Sequence, residues 1–471
     1  MKKIALLFIV IFLIMVLCAC GKTEQPTEVP TAEPTEAAAP TEVSTEPTTE
    51  PTTAPTEATT PPEAPTETTA PESPTEDATQ APTQAPTAEP TEEPTEEPTT
   101  EVTEQQIVYY DDFGAIGDGV SDDFSAICAA HEYANSNSFS VKATVGATYY
   151  IGQDSIGKQI EIKTDTDWTG AKFIIDDRNV TVGGAKDYLK PIFRVAPSVE
   201  CVETAPNVIK GSPLSAGDTN IGYAPGKKCL AVIENDYSSV FIRTGIHAGN
   251  GETKKEIVLV DENGDIDEST PLNWEFKIIT SRKIYHIDEA KITIRGGEFL
   301  TLTNVQAPNF TYFHRNIIVE RSNVTLEGIT HLTEGENDDG GAPYHGFIYV
   351  HNCINVNVNN CVFTPHYIFG DQSKSASASY GYDVHVNTAV NVKFTGCTQT
   401  ISIDDANYWG VFTSNFGRNI TLENCIWSRF DAHRGVYNVT VKNCVFGHQG
   451  LRFVGFGFSP WKIRRCAHRI L

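Results

Sequence analysis

Methionine is all but missing from this chain of 471 residues: Met1 and Met15 are the only two. Positive charge is missing from a far longer stretch. Between Lys22 and Gln105 a single cation, Lys22, stands against 20 acidic residues, and the segment is almost entirely Thr, Pro, Glu and Ala. That composition excludes a folded core there and describes a solvated, self-repelling spacer. About 19 of the 26 net negative charges belong to it, so acidity says little about any substrate. Helical periodicity is nearly absent after residue 135, which excludes a helical bundle. No phosphate-cradling glycine loop, basic nucleic-acid patch or redox motif is present, so a nucleotide-hydrolysing, nucleic-acid-binding or oxidoreductase role has no support.

Met1-Lys2-Lys3 and the uncharged apolar run Ile4 to Leu17 have the layout of a signal peptide. Leu17-Cys18-Ala19-Cys20-Gly21 looks like a bacterial lipobox, which makes residues 1–19 a lipoprotein signal and Cys20 the expected lipidation site. The competing reading is one uncleaved transmembrane anchor. Residues 20–105 form the expected disordered Thr/Pro/Glu linker, whose ~85 residues at ~3.3 Å each reach no further than about 280 Å. The expected location is the outer face of the cytoplasmic membrane of a Gram-positive bacterium, with the tether lifting a domain into the wall.

Residues 106–471 are rich in Val, Ile, Thr, Asn and aromatics with Gly punctuation, a β composition. Their C-terminal half repeats. Asn355-Val-Asn-Val-Asn-Asn-Cys361, Asn391-Val-Lys-Phe-Thr-Gly-Cys397, Asn419-Ile-Thr-Leu-Glu-Asn-Cys425 and Asn438-Val-Thr-Val-Lys-Asn-Cys444 superpose without a gap, and Asn323 opens a related copy ending at Ile329. The leading asparagines are 32, 36, 28 and 19 residues apart, so a minimal coil of about 19 carries variable insertions. Stacked coils put Cys361, Cys397, Cys425 and Cys444 in one interior column, where a small thiol packs well. The alternative, a zinc site, lacks the expected C-x-x-C pairs and histidine spacing. Lys172–Ile175 and Pro191–Val195 suit early coils, and Lys255 to Ile279 reads as a hairpin-bearing insertion. Its Asp261-x-Asn263-x-Asp265 run departs from a calcium loop at Ile266 and Leu272, leaving Asn-Gly turn chemistry as the better account.

The segment Asp111 to Ile127, with Asp112-Phe113-Gly114-Ala115 and Gly117-Asp118-Gly119, resembles the opening module of pectate-lyase-like right-handed parallel β-helices, a superfamily that includes polygalacturonases, rhamnogalacturonan-active and epimerase-like proteins and phage tailspikes. The resemblance implies an all-β fold: a single right-handed parallel β-helix over 106–471, covered by an N-terminal helix near Asp122 to Asn135, with Ser121 to Asp123 as its cap. It also implies a polysaccharide ligand. The polygalacturonase signature itself is not carried: Asp404-Asp405 matches one element, Gln449 interrupts Gly447-His448-Gln449-Gly450, and the other elements are absent.

Three strands per coil follow from the repeat. With the Asn-to-Cys strand as the first, the second is expected at Thr400–Asp404, Arg429–His433 and Leu451–Phe453, placing Asp404, His433 and Arg452 in one outward column and Ser402 and Asp431 in the next; a one-residue slip would exchange Asp405 or Arg434 for a neighbour. The third is expected at Gly346–His351, Tyr382–Asn387 and Gly410–Asn415, with outward rows Tyr349/His385/Thr413 and His351/Asn387/Asn415 and with Asp383 beside them. Insertions fall between the second and third strands and make one wall. Its first loop carries Glu334, Glu336, Asp338, Asp339, Tyr344 and His345.

Carboxylates, histidines, an arginine and aromatics along a groove suit glycan chemistry. Hydrolysis needs a carboxylic acid and a second carboxylate, and elimination needs a base and a neutraliser of the uronate charge, often calcium. The expected catalytic residues are Asp404, Asp405, Asp431 and His433; the expected sugar contacts are Arg434, Tyr408, Trp409, Asp383 and His385. No cofactor is expected, calcium excepted for a lyase. Glycoside hydrolase, polysaccharide lyase and non-catalytic adhesin all remain open. The basic tail Ser459 to Leu471 shows no coil pattern, and a truncated or frameshifted C-terminus is the expectation it raises.

Overall fold

The computed structural model of the protein describes residues 106–468 apart from 182–186, 205–208, 242–250, 305–311, 337–343, 369–380, 454–457 and 465–466. The signal segment, Cys20, the linker, Asp338 and Asp339 lie outside the described residues. Those that are described belong to one compact unit, residues 97–471.

The Asn-to-Cys segments are the parallel strands Ile354–Asn359, Val390–Thr395, Arg418–Glu423 and Tyr437–Lys442, joined by Val324–Glu327. They pair in the register that the repeat requires: Val324 with Val356, Val356 with Val392, Phe394 with Leu422 and Leu422 with Val441. All of these point inward and are buried. Each leading asparagine holds a φ of +53° to +61°, a left-handed corner that Asn adopts more readily than most residues. The corner stacks the carboxamides, and each Nδ2 donates to the Oδ1 of the coil before it at 2.8–3.1 Å from Asn355 to Asn438. A second corner precedes each cysteine. At Gly396 it has φ +65°, and a Cβ there would lie 2.5 Å from Asn360 Oδ1, so glycine interrupts an asparagine row. Cys361, Cys397, Cys425 and Cys444 follow as fully buried free thiols in one column, as the repeat predicts.

The remaining strands correct the expected register. The second strands are short, Thr330–Glu334, Val362–Phe363 and Thr398–Gln399, directly after the Ile329, Cys361 and Cys397 positions. Thr400–Asp404 is not a strand: Ile403 and Asp404 sit in a turn. Arg429–His433 and Leu451–Phe453 belong to the third sheet, within Ile426–Arg434 and Val445–Phe453. After Cys425 and Cys444 no insertion intervenes, so one strand runs through the second position, bulges between Trp427 and Arg429, and continues into the third. In the three preceding coils the insertions do fall between second and third strands, at 335–344, 364–381 and 400–411. Inside, aromatic rings stack from coil to coil, Phe173 on Phe299 at 4.6 Å and Phe412 on Phe430 at 4.9 Å. Parallel sheets wound about one core make this a parallel β-helix.

At its N-terminal end Gly114, Gly117 and Gly119 take positive φ, and the helix Phe124–Asn137 covers the first coil with Phe124, Ile127, Ala130, His131 and Ala134. Asp123 does not cap that helix with its side chain. Its carboxylate instead accepts from the backbone N–H of Ile116, Gly117 and Tyr150, tying the opening turn to the next coil. Thr166–Asp176 and Phe193–Val195 form early coils as expected.

Between those coils and Ile292 the chain leaves the helix. Glu252–Val260, Cys229–Val240, Ser281–His286 and Val202–Glu203 form an antiparallel sheet with its own core around Ile221, Leu272 and Phe276. Glu252–Val260 pairs with Cys229–Val240, and within Lys255 to Ile279 the expected hairpin is present in short form, the chain reversing at Asp261–Asp265 with Val260 bridging Ile266. The Asp261 turn is closed by its own carboxylate, which accepts from Asn263 and Asp265 N–H. The sheet's other face packs Leu230, Val232, Ile257 and Leu259 on Ile354 and Val390. A buried Arg418–Glu256 ion pair pins it to the coils.

The basic tail also differs from expectation. Phe458–Arg464 pairs in parallel with Tyr437–Lys442, Trp461 opposite Val439 and Ile463 opposite Val441. The sequence Trp461-x-Ile463-x-x-Cys466 thus repeats the spacing of Val439-x-Val441-x-x-Cys444, with basic residues among the intervening positions.

Candidate functional site

On the outer face of the third sheet, register brings residues from distant parts of the sequence into rows one strand apart, ~4.8 Å. One row runs Glu161, Arg194, Ile318, Tyr349, His385, Thr413, Asp431, Arg452. The row beside it is His351, Asn387, Asn415 and, across a one-residue bulge, Arg434. Alternation forces both outward, because Val384, Val386, Phe412 and Ala432 between them fill the core.

Imidazoles dominate the middle. His314 stacks on His345 at 4.5 Å, His345 meets His385 at 4.4 Å, and Tyr349 stacks on both His385 and His351 at 4.9 and 5.1 Å. Burial pulls His345 down to about 3, with His314 and His351 adding repulsion, and pulls His314 down to about 4. Burial likewise holds His385 well below its ordinary value, reinforced by His345, His351, His314 and His433. These three rings are therefore neutral near pH 7. Asn387 Nδ2 donates to Tyr349 OH at 3.0 Å, and Asn415 Nδ2 lies 2.9 Å from His385 Nε2. Arg434 Nε donates to Asn415 Oδ1 and its guanidinium pairs with Glu252 of the insertion. At the other end Glu320 takes Arg194 at 2.7 Å and His351 at 3.3 Å; burial alone would raise it, but those two partners hold it below the carboxylate range.

Asp431, 1% exposed, accepts from Arg429 Nη2 at 2.5 Å and from Tyr382 OH at 2.8 Å through one oxygen. Among the described residues its other oxygen, Oδ1, has no hydrogen-bond partner, and neither has Oγ1 of Thr413, its neighbour in the row. Burial raises the Tyr382 phenol and the Asp431 carboxylate adds to it, so Tyr382 stays a donor. Trp409 lies under the Arg429 guanidinium at 4.1 Å.

The expected group divides here. Asp431, His433, Arg434 and His385 share one face, with Trp409 at its edge through Arg429. Asp404 and Asp405 do not join them. Asp404 is exposed on its turn, and Asp405 accepts from Asn407 N–H at 3.0 Å in the same loop. Asp404 is consequently not a strand neighbour of His433; Thr413 is the residue opposite Asp431. Tyr408 bridges to Tyr367 of the preceding insertion, their rings edge to face at 5.4 Å.

Asp383 is fully buried and belongs to an internal polar chain rather than to the groove. It takes His331 Nδ1 at 2.7 Å and the Thr364 N–H at 2.8 Å, and His366 Nε2 approaches at 3.5 Å, an ionic contact without hydrogen-bond alignment. Glu336 accepts from His366 Nδ1 at 2.6 Å and from Tyr367 N–H. Burial opposes charge on His366, but Glu336 and Asp383 outweigh it and push it up to about 10. Burial also opposes charge on Asp383, and His331 and His366 hold it down at about 2. Arg315, Asp177 and Tyr344 continue the chain, Tyr344 stacking on His366. These contacts anchor the insertion loops.

His314, Glu320 and Arg194 were not legible as site residues. Arg194 and Glu320 are 126 residues apart with the whole antiparallel insertion between them, and their coils lack the Asn–Cys marks. Among the described residues, no group of three or more His, Cys, Asp or Glu is arranged to hold a metal ion.

No protein-family model matches the sequence, and no curated protein matches it. Solved structures do. The Pseudomonas phage phi297 tailspike is similar at 13% identity and a TM-score of 0.45, over 73% of this chain and 60% of that one. A tailspike of Acinetobacter baumannii bacteriophage AP22, solved with a capsular saccharide, gives 12% and 0.34 over 76% and 70%. A variant tailspike of E. coli bacteriophage HK620, solved with a pentasaccharide, gives 12% and 0.37 over 76% of this chain and 50% of that one. This chain thus spans less than two thirds of the first and half of the third, and its strand pairing establishes the fold independently of them.

Proposed function

We propose that this protein is a surface-anchored, polysaccharide-active member of the pectate-lyase-like β-helices and that it holds a glycan along the outer face of the third sheet. One observation carries the reading: two in-register rows combine neutral imidazoles and Tyr349 with the amides of Asn387 and Asn415, the Asp431 carboxylate and Arg434. Sugars offer C–H faces for such rings and hydroxyls for such amides. A polymer of similar units suits a surface that repeats strand by strand. The opening turn with its positive-φ glycines and the covering helix support the family assignment. Cys20 at the lipobox supports the membrane anchor, with the linker as spacer; Cys20→Ala should release the protein from the membrane fraction.

Cleavage is favoured by the unpartnered Asp431 Oδ1 beside Thr413 Oγ1, a buried acceptor placed to receive a proton or a sugar hydroxyl. In this reading Asp431 is the proton acceptor, His433 and Arg434 flank it, and the Asp404–Asp405 turn with Tyr408 and Trp409 forms the rim. Incubating the full chain with pectic, xylan and bacterial wall glycans tests it. New reducing ends identify a hydrolase, ultraviolet absorbance of unsaturated uronates a lyase, and retention without either a binder. Asp431→Asn should abolish turnover; undiminished turnover would move the chemistry elsewhere.

A further inference from the structure

The face opposite in character to the imidazole surface is the asparagine corner of the first sheet, where the antiparallel insertion stands as a wall. A cavity of about 1100 Å³ lies between Lys227, Lys228 and His286 of the insertion and Asn355 and Asn391 of the coils. Through those two asparagines it opens into a groove of about 470 Å³ that runs over Asn357, Lys393 and Thr421. Neither space includes a residue of the third-sheet face.

We propose that this groove is a second carbohydrate site, specific for a polymer of acidic sugars. Each ladder carboxamide spends one N–H on the coil before it, and an amide nitrogen has two. One donor per coil is therefore left for a ligand at every step. Beside the ladder, Thr325, Asn357, Lys393 and Thr421 stand opposite one another on successive strands and supply a second polar row of the same pitch, ~4.8 Å. Two parallel rows of equal pitch match a repeating chain, and a compact ligand would use only one rung of them.

Charge selects the class of chain. Lys227, Lys228 and Lys291 are exposed along this groove and take part in none of the ion pairs among the described residues, whereas Lys393 is paired with Glu423 at 3.1 Å. Asp288 is already taken by Arg321 at 2.9 Å, which leaves Glu262 and Glu289 as the acidic members of the rim. The balance is cationic on a chain of net charge −26. Carboxylates spaced along a polysaccharide would meet lysines at the wall and amides along the floor, a pairing that fixes direction and suppresses neutral competitors.

The test is binding of polygalacturonate, alginate and hyaluronan to the full chain, with carboxyl-reduced polygalacturonate as the uncharged control. At least one acidic polymer should bind about tenfold more tightly than the control and weaken as salt is raised. The Lys227→Glu/Lys228→Glu variant and Lys291→Glu should each lose about tenfold in affinity at unchanged melting temperature, since all three side chains are exposed. The third-sheet variant His351→Ala/Asn387→Ala should bind the acidic polymer as the parent does, which separates this site from the one proposed above. Failure of all three polymers to bind, or lysine reversals that leave affinity within about twofold, would overturn the proposal.

Discussion

Asn415 presents its carboxamide nitrogen to His385 Nε2 at 2.9 Å, because its oxygen is taken by Arg434 Nε at 2.9 Å. A guanidinium only donates, so the amide cannot be turned round, and Nε2 of His385 must accept. The proton of this neutral imidazole therefore sits on Nδ1. Nitrogen-15 spectra should show that single tautomer near neutral pH. Asn415→Asp should raise the His385 titration point by placing a carboxylate at Nε2; an unchanged titration would contradict the assignment.

Acid should loosen the third-sheet face. Unfolded histidine takes a proton near pH 6.5, whereas folded His345 waits until about 3 and His314 until about 4, with His385 also lowered. Between those values the unfolded chain binds more protons, so stability present above pH 6.5 is lost as pH falls through the window. Thermal unfolding from pH 7 to 4 should show a steep fall, and His345→Gln should flatten it.

His366 works in the other direction. Its folded value, raised to about 10, lies above the unfolded one, so its contribution is full below pH 6.5 and disappears as pH rises through 10. Glu336→Gln removes the nearest partner and should lower stability at neutral pH while flattening the alkaline limb, read by denaturant titration at pH 7 and 10.

Arg418→Ala should cost about 3–5 kcal/mol, because it leaves Glu256 buried without its cation. Glu256 would keep the N–H groups of Asn273 and Trp274, so the antiparallel sheet should survive and detach from the coils. Urea unfolding with Trp274 fluorescence should resolve a separate early transition. A single unshifted transition would count against this anchor.

The first sheet was legible because its marks are positional: a left-handed asparagine at one corner and a buried thiol at the next leave little choice of register, and the spacings of 32, 36, 28 and 19 residues reappear as the hydrogen-bonded steps of the ladder. The outward rows Tyr349/His385/Thr413 and His351/Asn387/Asn415 followed from alternation alone. The second strand misled because Val362–Phe363 and Thr398–Gln399 are two residues long, too short to alternate. Arg429–His433 then looked like a second strand, although its bulge carries it into the third sheet, and Asp431 was separated from the Thr413 row that it extends. Asp383 breaks the alternation: its N–H and that of Val384 both reach the Val411 carbonyl, a local bulge that leaves Asp383 beside the buried His331 and His366 instead of in the outward row.

Retention of polysaccharide by the parent and by His351→Ala/Asn387→Ala tests the third-sheet site most directly, since both side chains are half-buried and their loss spares the core. On a glycan the parent retains or cleaves, other than the acidic polymers assigned to the first-sheet groove, affinity should fall about tenfold or more while the melting temperature stays within a few degrees. A variant that binds and turns over every such glycan as the parent does would contradict the account, as would a parent that retains none.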